Sequence, residues 1–79
     1  MKDHEPTNAY EYFIGKRVSN VVSMLADGMD ELCEEQLAND LAQLNDEYYH
    51  RYYINRFNHL CQNVYHIKVP RNIRRLLIK

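Results

Sequence analysis

Apolar residues along this 79-residue chain recur mostly at helical spacing. From Ala9 onward, Tyr10, Ile14, Val18, Val21, Val22, Leu25 and Met29 fall three or four residues apart. That spacing places them on one face of an amphipathic helix, which Gly28 is expected to end. A second helix is predicted from Glu34 to about Asn45, with Glu34 and Glu35 at the positive end of its dipole and Leu37, Leu41 and Leu44 as its apolar stripe. Asn45-Asp46 reads as a break. The third helix, Tyr48 to Gln62, aligns Tyr49, Tyr53, Phe57, Leu60 and, just beyond, Val64, and turns Arg51, Asn55, Asn58, His59 and Gln62 toward the opposite face. Val64 to Val69 then alternates, Tyr65, Ile67 and Val69 against Val64, His66 and Lys68, the pattern of a short strand or extended arm that Pro70 closes. Arg71 to Lys79 predicts a last short helix with Ile73, Leu76 and Leu77 inward and Arg71, Arg74, Arg75 and Lys79 outward. Gly15 interrupts the first helix at a cost of about 1 kcal/mol relative to alanine, which predicts close packing there, or the close approach of a ligand. Residues 1–8 are polar and aperiodic, a flexible leader with a helix cap expected at Thr7 or Asn8.

The fold class this predicts is mainly α: one small helical domain, residues 9–79, of three to four helices, with a possible extended segment at 64–69 and a basic C-terminal segment at 68–79. A chain of this length hides only roughly 60–65% of the surface its unfolded form exposes, so a homodimer is the expected route to a sufficient core. Disulfides do not serve that purpose, since Cys33 and Cys61 make at most one bridge and nothing at the start reads as a secretory signal. A reducing, cytoplasmic setting is expected. No apolar run approaches the roughly 18 residues that span a bilayer.

Net charge is -1, but the distribution is uneven: all eleven acidic residues lie between Asp3 and Glu47. Seven of the ten basic residues follow them, namely Arg51, Arg56, Lys68, Arg71, Arg74, Arg75 and Lys79. Such a field without internal neutralisation suits an anion or a nucleic acid, with Lys68, Arg71, Arg74, Arg75 and Lys79 as the candidate face. Packing of the acidic half beside the basic half would consume it instead.

Catalytic signatures are missing: no Gly-rich phosphate loop, no Cys-x-x-Cys pair, no His-Glu-x-x-His and no nucleophile elbow occurs. His50, His59, His66, Cys33 and Cys61 share no recognised metal-ligand spacing, so no metal and no cofactor is expected. Residues 48–57 are more informative, because four tyrosines interleave with two arginines in ten positions. Guanidinium forks grip phosphate, and aromatic or guanidinium planes stack on a purine. Tyr49, Tyr53 and Phe57 are assigned to the core by spacing, which leaves Arg51, Tyr52, Asn55 and Arg56 as candidate ligand-binding residues. Lys16 and Arg17, a basic pair in an acidic half, join them if the helices pack antiparallel.

Several stretches resemble the late competence protein ComFB family: Asn8-Ala9-Tyr10-Glu11-Tyr12-Phe13-Ile14, Glu31-Leu32-Cys33-Glu34-Glu35-Gln36-Leu37-Ala38-Asn39, Leu44-Asn45, and Tyr49-His50-Arg51-Tyr52-Tyr53-Ile54-Asn55. The resemblance spans about residues 8–57. Asp46-Glu47 stands where that family carries a Leu-Pro-Pro turn. It implies a small helical dimer and a regulatory rather than enzymatic role, some members being receptors for cyclic di-GMP that influence competence, motility or surface attachment. On that pattern Arg51 supplies a phosphate clamp and Tyr52 a stacking face. A shorter stretch, Val64-Tyr65-His66-Ile67-Lys68-Val69-Pro70-Arg71-Asn72-Ile73, resembles the closing segment of the Hha family, which implies nucleoid or transcription modulation through protein or DNA contacts. A phage or plasmid accessory adaptor that binds a protein partner is the third expectation.

Overall fold

The apolar period over residues 10–25 forms one helix, α1 (Ala9–Ala26), whose residues Ile14, Val18, Val21, Val22 and Leu25 are buried. The structure, a computed structural model, describes residues 9–78; the leader at 1–8 with its expected cap, and Lys79, lie outside the described residues. Gly28 ends α1 as predicted. It takes a left-handed φ of 84°, donating its amide to the Leu25 carbonyl at 3.1 Å while the Met29 amide reaches the Met24 carbonyl at 2.9 Å. A residue with a Cβ resists that backbone, which is why glycine stands there.

The second helix, α2 (Asp30–Gln43), begins four residues earlier than the apolar pattern alone indicates. Asp30 and Glu31 contribute no apolar signal, yet in a first turn they complement the positive end of the helix. Cys33, Leu37 and Asp40 form its buried side. The predicted break at Asn45-Asp46 is present, and Asp46 caps α3 (Glu47–His59), its Oδ1 accepting from the Tyr48 amide at 2.8 Å. Beyond His59 the helix widens into a π-helical turn, Leu60–Val64. After an irregular stretch, α4 (Arg71–Leu77) closes the chain.

No strand occurs among the described residues, so the alternation at 64–69 does not become one. Val64 completes the π-helical turn and is exposed, and His66 adopts a left-handed φ of 56°. One left-handed residue destroys the two-residue periodicity a strand requires. The Ile67 amide instead bonds back to the Cys61 carbonyl at 2.7 Å, an end cap for the widened helix. Ile67 and Val69 pack against the core, whereas Tyr65 on the same side of the pattern is exposed.

α1 packs against α2 and α3, and α4 lies on α2. The fully buried side chains, among them Val18, Leu37, Tyr53, Phe57, Cys61 and Ile73, come from α1, α2, α3, the π-helical turn and α4. Besides Val64, two predicted inward positions are corrected: Tyr10 and Met29 are exposed, Tyr10 at the start of α1, where its ring meets Tyr49 edge-on at 4.6 Å, and Met29 at the α1–α2 turn. No helix among the described residues is long and apolar enough to cross a membrane.

Candidate anion-binding hollow

Asp40 is the pivot of the polar structure. It follows Cys33 and Leu37 on the inward side of α2 and is 3% exposed. A buried carboxylate requires donors, and three helices supply them. Tyr53 of α3 donates its hydroxyl to Oδ2 at 2.7 Å, while Gln36 Nε2 and Arg17 Nη1 donate to Oδ1 at 3.0 and 3.3 Å. Burial, and then the hydrogen bond to Asp40, push the Tyr53 phenol far above its ordinary value, so it is a fixed donor. A second buried carboxylate, Glu11, accepts from the Tyr48 hydroxyl at 2.8 Å, and that bond raises the Tyr48 phenol.

The Asp40 network positions Arg17 at the wall of a surface hollow of about 840 Å³, whose lining includes Tyr12, Phe13, Gly15, Lys16, Arg17 and Arg56. Tyr12 and Phe13 are 58% and 56% exposed, unusual for rings on a helix with a well-formed apolar face elsewhere. Each lies under a cation: Lys16 Nζ is 5.5 Å from the Tyr12 ring centroid, and the Arg17 guanidinium is 5.5 Å from that of Phe13. Gly15 lines the same hollow without a side chain. A Cβ built on Gly15 would meet no atom within 4 Å, which corrects the expectation of close packing at this glycine. The lining carries three cations against one carboxylate, Asp40, and two aromatic faces. Chemically, that combination can hold a phosphorylated aromatic molecule.

Of the residues singled out in the sequence, Lys16, Arg17 and Arg56 are therefore brought together, from α1 and α3. The others are not. Arg51 bonds Glu47 Oε2 at 3.0 Å one turn away and lines a separate groove of about 610 Å³ with His50 and Leu77. Asn55 is exposed on α3 and lines neither the hollow nor that groove. Tyr52, expected as an exposed stacking face, is 5% exposed and belongs to the core, because α3 buries a wider arc than one stripe: Tyr52, Tyr53 and Phe57 are all covered. Lys68, Arg71, Arg74 and Arg75 are exposed along and just before α4, as predicted.

Sequence reasoning missed Asp40, Tyr12 and Phe13. Asp40 carried a readable signal, since it continues the inward register of Cys33 and Leu37; Tyr12 and Phe13 were legible only as aromatics off the apolar stripe of α1.

Cys33 and Cys61 are free and buried, and each thiol is pushed up to about 11, by burial above all. Neither is poised as a nucleophile. Among the described residues no three His, Cys, Asp or Glu side chains are grouped to hold a metal ion.

Comparison with protein-family models, curated proteins and solved structures finds no match to this chain. The likenesses to the ComFB and Hha families rest on the residues quoted for them.

Proposed function

We propose that this chain is a non-enzymatic, cytoplasmic regulatory protein that binds a signalling nucleotide, most concretely cyclic di-GMP, as a homodimer of the ComFB kind. The observation that carries the reading is the hollow in which Lys16, Arg17 and Arg56 converge beside the exposed rings of Tyr12 and Phe13. Phosphates are held by Lys16 and Arg56, and a guanine lies against an exposed ring. Arg17, which also donates to Asp40, adds its charge to the wall. Cyclic di-GMP presents two phosphates and two guanines about a two-fold axis. Two copies of one hollow, related by the two-fold of a dimer, match that symmetry.

The site differs from the one the family resemblance implies, since Tyr52 is buried and Arg51 faces Glu47. The two locations are separable by calorimetric titration with cyclic di-GMP at moderate salt, with GTP as the control ligand. Saturable binding of cyclic di-GMP that Lys16→Gln and Arg56→Gln each weaken at least tenfold, and that Arg51→Ala leaves unchanged, supports the hollow. Loss of binding in Arg51→Ala alone moves the site to the groove beside Glu47, and no heat with the wild-type protein removes the nucleotide reading.

A further inference from the structure

The basic face of α4 plays no part in the nucleotide hollow. Arg71, Arg74 and Arg75 stand at i, i+3 and i+4 and so share one side of the helix, with Lys68 just ahead of it; all four are exposed. Opposite them, Ile73 is fully buried, and Leu76 and Leu77 pack against the core. Asn72 donates to Glu34 Oε1 of α2 at 2.8 Å, a second tie that holds the helix in place. None of Lys68, Arg71, Arg74 and Arg75 forms an ion pair with α2, where Glu34 instead accepts from Asn72. No acidic residue follows Glu47 in the chain. The three arginines thus stand in water on a helix whose other side is packed on the core, with Lys68 exposed in the irregular stretch ahead of it.

We infer that this face binds the sugar–phosphate backbone of a double-stranded nucleic acid, without reading base sequence. Arg71 and Arg75 are offset by roughly 6 Å along the helix axis, and the guanidinium forks can each take a phosphate. The spacing suits adjacent backbone positions, and a short helix whose exposed side carries only long, flexible cations has no group shaped for a particular base edge. An anionic membrane fits less well, because a helix that lies in a lipid interface buries its apolar side there, and α4 has used that side on the protein core. The inference is independent of the nucleotide reading, since it uses no residue of the hollow.

The test is fluorescence anisotropy of the full chain with labelled DNA duplexes of two unrelated sequences and an RNA duplex, each at several salt concentrations. Three to four phosphate contacts per chain predict an affinity that falls roughly 40- to 150-fold between about 50 and 200 mM salt, equally for both DNA sequences. Preference for DNA or for RNA identifies the source of the backbone. Replacing Arg71, Arg74 and Arg75 together by glutamine abolishes most of the binding and flattens the salt dependence to roughly the slope of one contact, with an unchanged thermal midpoint because the three side chains are exposed. Replacing them together by lysine keeps the steep slope. No binding by any duplex, binding indifferent to salt, binding retained by the glutamine variant, or binding to anionic vesicles in place of nucleic acid each overturns the inference.

Discussion

Replacing Gly15 by alanine separates what the fold needs from what the hollow needs. Gly15 lies in the middle of α1, and a Cβ there meets nothing within 4 Å, so the methyl group brings no clash. The change then carries the full helix-propensity gain, about 0.8–1 kcal/mol. For a domain of this size that raises the thermal midpoint by roughly 4–8 °C and the urea midpoint by up to about 1 M. The same methyl would be added to the lining of the hollow, taking space from a bound nucleotide. Gly15→Ala is therefore expected to stabilise the protein and weaken cyclic di-GMP together, with stability read by urea unfolding at neutral pH and binding by calorimetry. A glycine kept for packing behaves in the opposite way. Loss of stability in Gly15→Ala would refute the reasoning and show that another backbone or side chain does approach α1 there, as the sequence alone predicts.

Tyr53→Phe removes a hydroxyl that serves a buried carboxylate, and is expected to destabilise the fold by about 1.5–3 kcal/mol; in a double-mutant cycle with Asp40→Asn the two losses should be strongly non-additive, and simple additivity would show that the bond contributes nothing of its own. Asp46→Ala deletes the α3 cap and should lower stability by about 1 kcal/mol in urea unfolding. Alkaline pH weakens the fold through the buried thiols. Their folded values lie at about 11 against an ordinary 9.0, so the unfolded chain loses its protons first. The contribution is complete below pH 9.0 and declines as pH rises toward 11, and Tyr48 and Tyr53, also raised, act in the same direction. A urea midpoint that is unchanged across that window, or rapid labelling of both thiols in the native protein by a disulfide reagent, contradicts the burial on which this rests.

Periodicity in the sequence by itself determined the helical class, the courses of α1 and α4, the turn at Gly28, the break before α3 and the exposure of the α4 cations. Each of these follows from local chemistry: one apolar residue per turn, a glycine able to take a left-handed backbone, a carboxylate able to cap an amide, and a charge with no acidic neighbour in its own segment. The outward side of α3 and the composition of the hollow depended on tertiary packing. Apolar spacing reports which way a helix faces but not how wide an arc its neighbours cover, so Tyr52 reads as free beside Tyr53 and is in fact buried with it. It is equally silent on which polar groups from different helices meet. Asp40 is legible in the register of Cys33 and Leu37 as an inward carboxylate, but the donors it meets, Arg17 and Tyr53, come from α1 and α3. Arg56 and Lys16, forty residues apart, share a hollow only because α1 and α3 are packed side by side. Burial and convergence are properties of several elements at once, and for that physical reason the hollow was decided by the tertiary structure.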